Sequence, residues 1–237
     1  MAQDTVALTW LGNATYRVTT PGGKVLILDP WIEGNPACPP ALKRVEHVDM
    51  MCITHGHFDH IDDAITLAGR FRPDTVGIYE LCHWLERKGV PKTVALNKGG
   101  TLPVQDVLVT MVSADHSCGI LDDGKIVYGG EAVGYVLEFA GGLRIYHAGD
   151  TTVFPGMQII GDLYEPDIAL LPIGGVYTMG PREAAYACRF LRPKMVIPMH
   201  YGTLPTMPGT VEEFRSHMRE QRRIDIVEMK PGETRHF

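Results

Sequence analysis

The string Thr54-His55-Gly56-His57-Phe58-Asp59-His60 packs three imidazoles and one carboxylate into six consecutive residues, 55–60. Neutral imidazoles bind zinc, iron and related ions well, and a carboxylate suits the harder members of that group. The chain has only 10 histidines in 237 residues, so this crowding is far from an even spread. Three further candidates come singly: His116 in Ala114-Asp115-His116-Ser117, Asp150 in His147-Ala148-Gly149-Asp150-Thr151, and His200 in Pro198-Met199-His200-Tyr201. A polar surface loop would explain the first string alone, but not the string together with these three. The chemistry to expect is that of a metal centre, with Lewis-acid activation of water.

Each candidate follows an apolar run that reads as a strand: 50–53, 107–112, 143–147 and 195–198. Strand ends are where α/β architectures gather their chemistry. Further strands are predicted at 6–10, 16–19, 25–28, 76–79, 133–139, 168–171 and 224–229. Helices are predicted at 61–70, with Ile61, Ile65 and Ala68 on one face, and at 80–88, stopped by Gly89 and Pro91. A third spans 181–191 with Pro181 in its first turn, where the missing N–H costs nothing, and a fourth covers 211–222. The Pro-bearing segments 36–40 and 205–208 read as loops near the site. No low-complexity linker or charge block interrupts this order, which predicts one α/β domain over 1–237.

Hydrophobic content of 45% and charged content of 21% are ordinary for a globular protein. No apolar run approaches the length of a membrane span. Met1-Ala2-Gln3-Asp4 has neither the basic start nor the apolar core of a signal peptide, so a cytoplasmic protein is expected. The five cysteines are odd in number, scattered, and without Cys-x-x-Cys spacing, which predicts free buried thiols. A net charge of −6 and the lack of a basic cluster weigh against a nucleic-acid partner and towards a small-molecule substrate.

In this order, the His-x-His-x-Asp-His string, the lone His116, the Gly149-Asp150-Thr151 element and the lone His200 resemble the motif set of the metallo-β-lactamase superfamily. The strings Leu171-Pro172-Ile173-Gly174 and Tyr177-Thr178-Met179-Gly180-Pro181 resemble one branch of it, the UPF0173 metal-dependent hydrolases. More distant similarity runs to ascorbate-6-phosphate lactonases and N-acyl-phosphatidylethanolamine phospholipases D. The resemblance covers nearly the whole chain and implies a four-layer αββα sandwich. It implies one metal on His55, His57 and His116, a second on Asp59, His60 and His200, and Asp150 bridging them. True β-lactamases of this fold lack such a bridging Asp, and flavodiiron-type proteins carry an acidic residue where this chain has His57. Occupancy by one metal stays open, as does the choice among Zn2+, Mn2+ and Fe2+.

The implied reaction is hydrolysis of an ester, lactone or phosphodiester bond of a small molecule by a metal-bridging hydroxide, with Asp59 and Asp150 as catalytic residues. Asp59 could serve as base or proton shuttle besides ligating. The alternatives are a phosphodiesterase or nuclease of the same fold, and a non-catalytic metal-binding protein. Asp29, at the end of the third strand, is expected to hold a ligand His or a loop from behind. Asp115 and Ser117 flank His116, with an orienting role or a plain turn role. Tyr177, Thr178, Arg182, Tyr201 and Thr203 are expected to rim the pocket. Tyr177, Arg182 and Tyr201 are the substrate-binding candidates, although Arg182 also reads as a solvated residue of its helix. His147 reads as structural, and His47, His83, His217 and His236 as outside the site. Pro- and Met-rich loops around the mouth, with the resemblance, lead to an expected homo-oligomer.

Overall fold

The computed structural model describes residues 5–237, and the four residues Met1–Asp4 behind the signal-peptide reading lie outside that range. The first sheet is built from β1 (Ala7–Gly12), β2 (Thr15–Thr19), β3 (Val25–Leu28), β4 (Met50–Cys52), β5 (Asp74–Ile78) and β6 (Thr93–Leu96). The second takes β7 (Thr101–Val104) and β8 (Val107–Ser113). After a separate hairpin of β9 (Gly119–Asp122) and β10 (Lys125–Tyr128), it continues through β11 (Val133–Glu138), β12 (Arg144–His147), β13 (Ile168–Pro172), β14 (Met195–Met199) and β15 (Asp225–Ile226). The last strand, β16 (Thr234–His236), returns to pair with β1. The sheet orders are β16-β1-β2-β3-β4-β5-β6 and β15-β14-β13-β12-β11-β8-β7. In each sheet an antiparallel half passes into a parallel half, at β3–β4 and at β12–β13.

Side-chain alternation explains why so many of these strands are apolar throughout. Ile168 and Leu170 of β13 face the core between the sheets, beside Ile27, Met51, Val109 and Tyr135. Ala169 and Leu171 of the same strand face outward, onto the helices α5 to α7. The short helices are α1 (Pro40–Lys43) and α2 (Phe58–Ile61). The longer ones are α3 (Ala64–Phe71) and α4 (Tyr79–Arg87) on the first sheet, and α5 (Gly156–Tyr164), α6 (Pro181–Leu191) and α7 (Val211–His217) on the second. Together the layers form the αββα sandwich. No described helix is long and apolar enough to cross a membrane. All five cysteines are free and buried.

Several elements differ from the sequence expectations. The helix expected at 61–70 is two pieces, because the Asp63 carboxylate at the break accepts the backbone N–H groups of Ile32 and Glu33. The final strand is only Asp225–Ile226; its partner β14 reaches Pro198, which has no N–H to extend the ladder. The helix expected at 211–222 ends at His217. α5 had no sequence signal because two glycines weaken its pattern. Gly161 is there for close approach, since a Cβ would stand 2.4 Å from the Phe190 carbonyl of α6.

Candidate metal centre

The site sits where strands of both sheets end. Asp29 follows β3, residues 53–60 follow β4, His116 follows β8, Asp150 follows β12 and His200 follows β14. Asp29 and His200 adopt left-handed backbone, with φ of +46° and +55°, which turns the chain sharply as each strand ends. Gly149 (φ +62°) lets the β12 loop touch the β4 loop, because a Cβ there would lie 2.8 Å from Cβ of Thr54.

Two groups of side chains result. In the first, His57 Nδ1 lies 2.9 Å from His55 Nε2 and 3.3 Å from His116 Nε2. In the second, His60 Nε2 lies 3.6 Å from Asp59 Oδ2, and His200 Nε2 lies 3.4 Å from the same oxygen. Asp150 belongs to both. Its Oδ1 is 3.4 Å from His60 Nε2, and its Oδ2 is 3.1, 3.8 and 4.0 Å from Nε2 of His200, His116 and His55. Ligands about 2.0–2.1 Å from a tetrahedral ion stand roughly 3.3–3.4 Å apart, close to most of these separations. His60 Nε2, His200 Nε2 and Asp150 Oδ1 are buried without a hydrogen bond among the described residues. Buried polar atoms are seldom left so, and these surround a common point. The donor set therefore fits divalent cations.

Hydrogen bonds behind the site fix which nitrogen each ring presents. Thr54 Oγ donates to Asp29 Oδ2 at 2.8 Å, which makes it the acceptor for His55 Nδ1 at 3.0 Å. His60 Nδ1 donates to the same Asp29 oxygen at 2.8 Å. Asp29 Oδ1 accepts the Thr54 N–H at 2.7 Å. Both Nε2 atoms thus face the cleft, and one carboxylate orients two rings. Asn13 Nδ2 donates to Asp59 Oδ2 at 3.1 Å, and Ser117 Oγ lies 3.3 Å from His57 Nε2.

Burial pulls His55, His57 and His116 below the ordinary imidazole range, and the nearby His60 adds to this. They offer neutral lone pairs. Burial also opposes charge on His60 and His200, but the carboxylates of Asp150 and Asp59 outweigh it. His60 is raised well above its usual value and His200 to about 9. Burial pushes Asp59 up, but His60 and His200 prevail and hold it at about 2. Asp150 is likewise well below the usual carboxylate range. Asp59 therefore carries no proton at neutral pH and has none to give.

The cleft of about 700 Å³ over these groups is lined by His57, Asp59, His116, Asp150, His200 and Tyr177, with Phe58, Leu121, Ile126, Leu204, Thr206 and Met207. The structure does not bring Arg182 there. Pro181 is buried, and the next position, a third of a turn on, points Arg182 into a separate groove with His217 and Gln221. Tyr201 stacks on Trp10, with ring centroids 5.5 Å apart, and lines a neighbouring pocket shared with Met207. Residues 205–208 contribute to the cleft wall, whereas 36–40 do not. His147 Nε2 donates to the Ala14 carbonyl at 2.9 Å, which joins the two sheets, while its Nδ1 accepts the Gly149 N–H of its own loop at 3.2 Å. His83 is exposed on α4 beside Glu86. Sequence reasoning missed Asn13, Thr54 and the β9–β10 hairpin. Only the hairpin had a clear signal, Asp123-Gly124 between β-forming runs.

Residues 7–200 match the β-lactamase superfamily domain, the class that this sandwich and its His/Asp centre define. The chain is 54% identical over 227 residues to a UPF0173 metal-dependent hydrolase of Koribacter versatilis, covering 96% of each. It is 52% identical over 225 residues to one of Solibacter usitatus, covering 95% of this chain and 97% of that one. Among solved structures it is similar to Igni18, a metallo hydrolase of Ignicoccus hospitalis, with a TM-score of 0.85, 35% identity and 98% of both chains covered. The chain belongs to the UPF0173 family of metal-dependent hydrolases.

Proposed function

We propose that the protein holds two divalent cations and hydrolyses a carboxylic ester or lactone bond of a small molecule. One cation would be held by His55, His57 and His116, the other by Asp59, His60 and His200. The observation that carries the reading is Asp150, whose two carboxylate oxygens face both groups at 3.1–4.0 Å. Zn2+, Mn2+ and Fe2+ all suit this donor set. Such cations supply Lewis acidity, making water acidic enough to ionise near neutral pH and polarising the oxygen of the bond attacked. The protein's own part is positioning. Asp29 and Thr54 hold the rings, and Asn13 holds Asp59. The leaving group takes its proton from water, because no histidine outside the proposed ligands is among the described residues lining the cleft.

No lysine or arginine is among the described residues lining the cleft, which favours an ester or lactone over a phosphodiester. The same reading takes residues 1–237 as one cytoplasmic domain, supported by a core that both sheets share and by the free thiols. It includes a homo-oligomer, supported by Ile159 and Leu163, exposed one turn apart on α5.

The test is metal content and turnover of Asp150→Asn against the wild type, on lactones, carboxylic esters and phosphodiesters. The expected result is loss of at least one metal per chain and a fall in kcat/KM of about 100-fold or more. Unchanged turnover would remove the two-metal reading. Selective phosphodiester cleavage by the wild type would replace the ester reading.

A further inference from the structure

The mouth of the metal cleft exposes side chains that globular proteins mostly bury. Asp123 and Gly124 have φ of +48° and +74°, so the β9–β10 turn is a tight two-residue reversal. Directly opposed residues of an antiparallel pair share a face. Ile120 therefore lies with Val127, and Asp122 with Lys125, while Leu121 lies with Ile126, and Gly119 with Tyr128.

The first face is docked. Ile120 is buried, and Asp122 accepts the Trp84 indole N–H of α4 at 2.8 Å and the ammonium of Lys88, which caps that helix, at 2.6 Å. The second face is left out, with Leu121 70% and Ile126 81% exposed. Leu121 and Ile126 line the same cleft as His57, His116, Asp150 and His200. Phe58, held edge-on by Trp31 at 5.6 Å, also lines it, as do Leu204 and Met207. The charged groups among its described lining residues are the His and Asp side chains of the proposed centre, and the remaining polar ones are the hydroxyls of Ser117, Tyr177 and Thr206. An ionic group on the outer part of a ligand would be desolvated there without a countercharge outside the proposed centre. An apolar arm would cover what the free protein leaves wet, at roughly fourfold in affinity for each methylene fully buried.

We propose that Leu121 and Ile126 of the hairpin, with Phe58 of the same cleft, form the specificity wall for the apolar arm of an uncharged ester or lactone. This rests on the hydrolase reading of the same site, so the test has a readout independent of turnover.

That readout is calorimetric binding of straight-chain alkyl hydroxamic acids, acetyl to octanoyl, to metal-loaded protein. Their head group chelates divalent cations whatever reaction the protein performs. Affinity should rise about two- to fourfold per methylene in the wild type. The slope should flatten in the Leu121→Ser/Ile126→Ser double variant. The ratio of kcat/KM for p-nitrophenyl octanoate over acetate should fall in parallel. Leu102→Ser on β7, which removes an exposed leucine outside the cleft lining, should leave the slope as it was. A rising slope without ester hydrolysis keeps the wall and discards the ester reading. Ester hydrolysis with a flat wild-type slope discards the wall and keeps the hydrolase. A slope that survives in the double variant overturns the proposal, as does tighter binding of a carboxylate-tipped hydroxamate of equal length. Flat slopes, with a sedimenting dimer that the double variant dissolves, would assign the hairpin to a second copy of the chain instead.

Discussion

At the scale of single residues, Asp29 has more reach than its place outside the proposed ligand set suggests. One of its oxygens takes both the His60 Nδ1 proton and the Thr54 hydroxyl, and the other takes a backbone N–H. In Asp29→Asn one of these oxygens becomes an NH2 that faces donors. At Oδ2 it would face two, and either His60 or the Thr54–His55 relay must let go. Metal affinity is expected to fall about 10- to 100-fold, measured by competition with a chromophoric chelator. An affinity within twofold of wild type would show that the rings are held by packing alone. Asn13 has a narrower role, restraining Asp59 at 3.1 Å from a left-handed turn position.

At the scale of elements, the site depends on loops that touch, and Gly149 shows the tolerance. Its positive φ and the 2.8 Å approach to Thr54 leave no room for a methyl group. Gly149→Ala should cost about 1–3 kcal/mol of stability through strain, read from denaturant midpoints. It should also weaken metal binding, because Thr54 carries His55. A stable, fully loaded Gly149→Ala protein would mean that the β12 and β4 loops move independently. The hairpin is the opposite kind of element. It is anchored on one face by Asp122 and open on the other, so its changes should alter ligand preference rather than the fold.

At the scale of the whole molecule, the two sheets close over a cluster of charge that must be balanced. In chelated protein the balance falls to protons on His60 and His200 facing Asp59 and Asp150. His200 titrates at about 9 when folded, above the ordinary 6.5, because the two carboxylates outweigh its burial. Its stabilisation is therefore complete below pH 6.5 and disappears as pH rises through 9. Asp59, held at about 2 against an ordinary 3.8, stabilises above pH 3.8 and loses this only as pH falls through 2. The Tm of chelated protein should thus decline from pH 6.5 to 9. Metal-loaded protein should melt higher, by about 2.7 kcal/mol of added stability when free metal is 100 times its Kd, and should not show that decline. Equal melting of the two forms at pH 8 would show that no metal binds the folded state.

The candidate ligands were legible from sequence because three imidazoles and a carboxylate in residues 55–60 have few other uses, and because His116, Asp150 and His200 each end an apolar run. The strands themselves were legible because burial on both faces makes them continuously apolar. Sequence alone left open which ring nitrogen faces the cleft, since that follows from Asp29, 31 residues away from His60. It placed Arg182 and Tyr201 at the rim by nearness along the chain. Helical rotation after Pro181 and stacking on Trp10 put their side chains elsewhere. It passed over the β9–β10 wall although Asp123-Gly124 announces a turn, because which hairpin face stays wet depends on α4 docking against the other. Local pattern determined the candidate ligand types and most of the strands. Contacts between residues distant in sequence decided their orientation, their pairing into two groups and the walls around them, because those are properties of packing, which no single segment encodes.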